Sequence, residues 1–290
     1  MLPQPEPSHP TSTQQYIYHP VLAFMTDFGT GDGYIGVMKG IVVTIIPDVQ
    51  IIDITHEIAP QNVSSGAWIL ATSYRYFPQR TIFICVVDPG VGSSRGAIAV
   101  HAGDWYFVGP DNGLFSYIFA EQPIHGAVSL TNPAYHLSQV SSTFHGRDIF
   151  APVGAHLARG VALSELGTSL DPATLQRMNI EPATRHGTDI EAHILHVDNF
   201  GNLITSIPLS LVPDLFTASY VRVVFPVQDQ GAKFLAPVEK RSRSFAGGDG
   251  TPFIYGDSSG YVGIAVRNGN AAKTLGVGYG ANMAFVIADK

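Results

Sequence analysis

Two aspartates follow apolar runs of strand length: Asp27 after Val21 to Thr26, and Asp88 after Thr81 to Val87. In an open α/β sheet, ligands bind beyond the carboxyl ends of the strands, so both residues stand where chemistry is done. Asp27 opens Asp-Phe-Gly-Thr-Gly-Asp-Gly, just before a helical pattern. A carboxylate there can accept two hydrogen bonds from a ribose diol; equally, Asp27 or Asp32 can serve a turn or a helix N-cap. Asp88 opens Asp-Pro-Gly-Val-Gly-Ser-Ser-Arg, a tight loop that lets Arg95 fold back toward the carboxylate. Such a pair either serves a reaction or pins the loop. His145, in Ser-Thr-Phe-His-Gly-Arg-Asp, lies between an aromatic residue and a glycine ahead of a helical segment. The second half offers Asp198-Asn199-Phe200-Gly201-Asn202. Phe200 can stack on a purine, and Asn202 can pair with an adenine edge or an amino-acid head group. The same residues are good hairpin-turn chemistry. Ser258-Ser259-Gly260-Tyr261 is a small-residue loop through which backbone groups can approach a ligand.

Other chemistries find no support. No His-x-x-x-His pair and no phosphate-binding Gly-x-x-x-x-Gly-Lys loop occurs. His193 and His196 on one strand would face opposite ways. No metal site is expected. The lone cysteine, Cys85, sits in an apolar run and reads as a core thiol. Sixteen Lys and Arg against 23 Asp and Glu give a formal charge of −7 with no basic run, which argues against nucleic acid as a partner. No apolar stretch is long enough to span a bilayer. Residues 1–20, rich in Pro, Gln, Ser and Thr without a basic segment, read as a loose extension rather than a secretion signal, so a cytoplasmic location is expected.

The elements that must position these residues alternate in the first half. Val21 to Thr26, Val49 to Thr55 and Thr81 to Val87 read as strands; Tyr34 to Pro47 and Asn62 to Phe77 read as helical segments. Continuous apolar strands between helices imply a central, mostly parallel sheet covered on both faces. Ala97 to Val100 and Trp105 to Val108 read as strands joined through Gly103-Asp104, and Asp148 to Arg159 as a closing helix. From residue 186 the pattern changes to short apolar runs with Gly between them: Ile190 to Val197, Leu203 to Ile207, Tyr220 to Phe225, Pro252 to Tyr255, Tyr261 to Val266 and Met283 to Ile287. We therefore expect an α/β domain over 21–185 and a smaller all-β domain, a barrel or a sandwich, over 186–290; of the two forms a barrel is expected. Hydrophobic residues at 45% against 13% charged suit large cores or an oligomer interface.

Taken in order, the motifs resemble those of the S-adenosyl-L-methionine hydrolases, or hydroxide adenosyltransferases, relatives of the fluorinase and chlorinase. The resemblance is carried by Thr-Asp-Phe-Gly at 26–29, Asp-Ile-Thr-His at 53–56, Asp-Pro-Gly-Val-Gly at 88–92 with Arg95, and Gly-Pro-Asp-Asn-Gly at 109–113. It continues through Phe-His-Gly-Arg-Asp at 144–148, Asp-Asn-Phe-Gly-Asn at 198–202 and Ser-Gly-Tyr-Val at 259–262. It implies a homotrimer in which substrate lies between the N-terminal domain of one subunit and the C-terminal domain of the next. It implies a catalytic set at Asp88, Arg95 and His145, and a ribose-binding Asp27. Phe200, Asn202, Asp198 and Ser258 fall at adenine and methionine positions, with Asp198 near the amino group; Tyr34, Gln61 and Gly146 fall at pocket positions. The halogenases carry Tyr where Asp88 stands, and the fluorinase has Tyr and Ser at positions 145 and 146, so the resemblance favours water as nucleophile. The implied reaction is attack of water on C5′ of S-adenosyl-L-methionine, giving adenosine and methionine without a cofactor. A halide-using adenosyl transferase and a non-catalytic S-adenosylmethionine or adenosine sensor are the alternatives.

Overall fold

The computed structural model describes residues 19–226 and 237–288. The expected extension at 1–20 thus lies, except for His19 and Pro20, outside the described residues.

The first half is a seven-stranded sheet. Its strands are β1 (Val21–Thr26), β2 (Gln50–Thr55), β3 (Ile82–Val86), β4 (Ala97–Ala102), β5 (Trp105–Pro110), β6 (Ile124–Ser129) and β7 (Thr168–Ser169), in the order β2-β1-β3-β5-β4-β6-β7. The pairings from β2 to β5 are parallel, and those from β5 through β4 and β6 to β7 are antiparallel. Helices α1 (Tyr34–Ile45) and α4 (Ala151–Ala158) cover one face; α2 (Val63–Ser73) and α3 (Ser116–Glu121) cover the other. Alternation along β1 explains how one strand serves both faces. Leu22 and Phe24 enter the core under α1 and α4, while Ala23 and Met25 enter the core under α2 and α3. All four are fully buried, and each large apolar side chain contributes roughly 1.5–3 kcal/mol on burial.

The second half is a curled antiparallel sheet. Its strands are β8 (Thr184–His186), β9 (Asp189–Val197), β10 (Leu203–Pro208), β11 (Tyr220–Val224), β12 (Pro252–Gly256), β13 (Tyr261–Val266) and β14 (Asn282–Ala288). The order is β11-β14-β9-β10-β13-β12, with β8 also paired to β9. A short helix, α5 (Ala271–Leu275), packs on the core that the sheet encloses. Of the expected barrel, the described residues form a curled antiparallel half-barrel whose edge strands do not pair with each other. Its edge strands β11 and β12 meet the 238–241 segment through single bridges, Val223 with Val238 and Ile254 with Arg241, and through the Arg222–Glu239 ion pair. Trp68 on α2 joins the halves by packing on Leu195 and Ile204, with its ring edge-on to Tyr261 at 5.0 Å. Among the described residues, no helix is long and apolar enough to cross a membrane.

Candidate active site

The carboxyl ends of the parallel strands carry the N-terminal polar residues, as the topology requires. Asp88 follows β3, and Arg95 comes back to it across the glycine turn. Arg95 Nε lies 2.9 Å from both Asp88 carboxylate oxygens, and Nη2 donates to Oδ2. Their side chains are only 4% and 10% exposed. Arg95 Nη2 also lies 2.9 Å from His145 Nδ1. A guanidinium carries donors only, so Nδ1 must be the acceptor, and a neutral His145 holds its proton on Nε2. Burial and the Arg95 charge push the imidazole below its ordinary value, against smaller raising effects of Asp88 and Asp148. The neutral ring is therefore favoured. Nη1 makes a longer bond to Gly96 O at 3.3 Å, and the guanidinium lies over the Phe150 ring at 5.3 Å. One Nη1 proton of Arg95 is left for another partner.

Local structure fixes this set. Gly92 has φ +77°, and a Cβ there would sit 2.4 Å from Ser142 O, so only glycine lets the Asp88 loop lie against the His145 loop. His145 begins a π-helical turn over Gly146–Phe150 that leads into α4; such turns re-aim side chains at functional sites. Behind it, Asp148 is fully buried and holds Arg147 at 2.5 Å and the Ser141 N–H at 2.8 Å. Gly146 packs on α1, where an added Cβ would lie 3.0 Å from Met38 Sδ.

Asp27 caps no helix. The N-cap of α1 is Gly33, without a side-chain bond, so the capping alternative for Asp27 and Asp32 is corrected. The Asp27 carboxylate instead accepts the Gln61 N–H at 2.7 Å. Gln61 is exposed, with φ +66°. Tyr34 is half-exposed and sits edge-on to Phe144 (5.3 Å) and Phe28 (6.1 Å), forming an aromatic wall one residue from His145.

The C-terminal residues form a second group. Asp198 to Asn202 is the β9–β10 hairpin turn, closed by Asp198 N donating to Asn202 O at 3.0 Å. The Asp198 carboxylate accepts from the backbone N–H groups of Phe200 and Asn202 and from the Asn202 amide. The turn thus presents Phe200, 74% exposed, beside Asn202, 6% exposed. Phe200 and Asn202 line a cavity of about 470 Å³ with Phe245, Arg267 and Asn268. Asp198 and Ser258 line a cleft of about 430 Å³ with His196, Asp257, Trp68 and Tyr76. Burial pushes His196 below its ordinary value, partly offset by Asp198 and Asp257. Among the described residues, no hydrogen bond, ion pair or ring contact joins the Asp88–Arg95–His145 group to this second group. No cluster of three or more His, Cys, Asp or Glu among the described residues is arranged to hold a metal ion. Phe245, Arg267 and Asn268 carry no local motif, and only the curl of the sheet brings them beside Phe200.

Comparisons with known proteins cover most of the chain. Residues 22–167 match the model of the SAM hydroxide adenosyltransferase N-terminal domain, and residues 192–284 that of its C-terminal domain. The chain belongs to the SAM hydroxide adenosyltransferase family. It is 38% identical to a curated (R)-S-adenosyl-L-methionine hydrolase of Salinispora tropica, over 89% of this chain and 94% of that protein. A fluorinase of Actinoplanes is more distant, 28% identical over 85% of this chain and 91% of the relative. The fold is similar to a crystal structure of an uncharacterized conserved protein from Thermotoga maritima. That match has a TM-score of 0.83 and 34% identity, over 91% of this chain and 99% of the other.

Proposed function

We propose that this family member hydrolyses S-adenosyl-L-methionine to adenosine and L-methionine, with Asp88, Arg95 and His145 as its catalytic set. The observation that carries the assignment of residues is the buried chain Asp88–Arg95–His145, closed by bonds of 2.9 Å. Water attacks C5′ of the ribose: the O–C5′ bond forms, the C5′–S bond breaks, and its electron pair stays on sulfur as the neutral thioether of methionine. The released proton passes to solvent. Sulfonium charge is lost as the oxygen bonds, so a shielded, preorganised site favours the reaction. Neutral His145 offers its Nε2–H, a donor that orients the water rather than a base that strips it. Asp88 keeps Arg95 in place, and Arg95 in turn keeps His145 aimed. The leaving group needs neither protonation nor a Lewis acid, and no cofactor is required.

Asp27 takes the ribose diol. Phe200 stacks on the adenine and Asn202 pairs with its edge, in the cavity that Phe245 also lines. Asp198 and Ser258, on the other side of the hairpin, take the methionine end. Tyr34, Gln61 and Gly146 wall the reacting carbon. The site is completed between subunits of a homotrimer, Asp27 and His145 from one and Phe200 and Asn202 from the next. Support comes from the separation of the two groups within one chain. It comes also from exposed apolar residues on α1 and the edge strand β2: Val37, Val43 and Ile52. The test is incubation of the protein with S-adenosyl-L-methionine in chloride-free buffer, followed by chromatography. Equimolar adenosine and methionine, abolished in His145→Ala, are expected. Binding without product would favour the sensor, and a chloride-dependent 5′-halogenated nucleoside would favour the transferase.

A further inference from the structure

Among the described residues, His56 is a buried titratable side chain that this scheme leaves unused. Its ring is 5% exposed and lies behind the loop that carries Asp27. Nδ1 is 3.0 Å from Thr26 Oγ1, which already accepts the Phe28 N–H at 3.2 Å. The carboxylate oxygen Oδ1 of Asp53 lies 3.1 Å from Nε2, which favours the ring proton on Nε2 and leaves Nδ1 to accept from the Thr26 hydroxyl. The Nε2–Asp53 contact is out of line for a hydrogen bond. Lys39 of α1 grips Asp53 from the far side at 2.5 Å. Partial burial raises the Asp53 carboxyl, and Lys39 leads the interactions that bring it below its ordinary value, so an ionised group faces the ring.

The backbone closes the arrangement. Gly29 N donates to His56 O at 2.7 Å, Thr30 Oγ1 donates to Glu57 at 3.1 Å, and Gln61 N reaches Asp27. The loops after β1 and β2 are thus one unit, with Gln61 held at φ +66° to close it. His56 is its buried joint. We propose that His56 is a positioning residue for ribose recognition: through Thr26 and the 28–29 backbone it fixes the Asp27 carboxylate and sets affinity for the ribosyl group. The inference rests on Asp27 as the diol acceptor.

The experiment compares binding of adenosine and 2′,3′-dideoxyadenosine by calorimetry, with kcat and KM for S-adenosyl-L-methionine, in Asp27→Ala, Thr26→Val, His56→Ala and His56→Asn. Asp27→Ala should lose most of its preference for the intact diol. Thr26→Val, which keeps the branched shape, should raise KM and the adenosine Kd by roughly tenfold, the worth of one hydrogen bond in a charged network, while kcat falls far less. Its diol preference should shrink toward that of Asp27→Ala, and the double variant should lose little more. His56→Asn, whose amide oxygen can take the Nδ1 role, should recover affinity that His56→Ala loses. Diol preference lost in Asp27→Ala but intact in the Thr26 and His56 variants, whatever their thermal stability, overturns the proposal alone. Preference intact in Asp27→Ala overturns the reading of Asp27 and this proposal with it.

Discussion

Asp88→Asn is the substitution that separates a catalytic ion pair from one that only pins a loop. The variant keeps the shape of the side chain but removes its charge, and it sets an amide NH₂ against a guanidinium that has only donors. Arg95 would then be a cation at 10% exposure without a counterion. Breaking a buried pair by removing one partner costs about 3–5 kcal/mol. The Phe150 ring at 5.3 Å from the guanidinium offsets part of this, so a loss near the lower bound, about 3 kcal/mol, is expected. At about 2–4 °C per kcal/mol for a chain of this size, Tm should fall by roughly 6–12 °C. The catalytic effect is separate. Arg95 is the group that holds His145 Nδ1 at 2.9 Å, and once it turns away the imidazole is free to adopt the other tautomer and orientation. A fall in kcat of about a hundredfold or more, some 2.7 kcal/mol of lost transition-state stabilisation, should follow. Calorimetric melting and steady-state adenosine release read the two effects independently. A lowered Tm with kcat intact would mean that the pair only pins the loop. A native Tm together with native kcat would refute the geometry itself.

Phe200→Ala should leave the fold intact, because the ring is 74% exposed, and should weaken adenosine binding by about 1–3 kcal/mol in calorimetry. Gly92→Ala should lower both Tm and turnover, since its Cβ would meet Ser142 O at 2.4 Å at φ +77°; about 1–3 kcal/mol is expected in denaturant titration. The depressed His145 value sets the sign of the pH dependence. A ring that folds preferentially neutral contributes stability above the ordinary imidazole value near 6.5, and this is lost as pH falls through the lower folded value. The acid limb of kcat/KM should therefore lie below pH 6.5, and a limb above it would refute the neutral-donor role. Co-folding inactive His145→Ala with inactive Asn202→Ala chains should restore about a quarter of native activity if each site takes one group from each of two neighbours. No recovery would place the site within one chain.

Much of this arrangement is legible in the chain, because local chemistry and long-range placement agree there. Apolar runs ending in Asp27 and Asp88 predict β1 and β3, and the sheet topology then brings both carboxylates to one edge. The glycines after Asp88 predict the return of Arg95. What escapes local reading depends on pairing. Ile124–Ser129 carries His and Gly among its apolar residues and becomes β6 by pairing with β4. The five residues of α5 are too few to show a helical period; Asn270 caps them by accepting the Lys273 N–H at 2.7 Å. The helix expected from Asp148 instead begins as a π turn at Gly146, where Phe144 O accepts both the Arg147 and Asp148 N–H groups at 3.1 Å. The barrel is legible only as curvature for a related reason: glycine-punctuated strands predict a curled sheet, whereas closure depends on whether two distant edges pair.

The saturation of Arg95 shapes the chemistry more than its charge does. Four of its five N–H groups are spent on Asp88, His145 and the Gly96 carbonyl, so little of the guanidinium is left to act on a nucleophile directly. The substrate already brings a positive sulfonium, and a free arginine beside it would repel it. Neutralising Arg95 with Asp88 removes that penalty while keeping the stiffness of a bidentate pair. On the proposed assignment, what reaches the reacting carbon is then a neutral imidazole with one aimed proton, held on a loop that Gly92 and Ser142 fix in place. A site of this kind orients water without adding charge, which suits a displacement in which charge disappears.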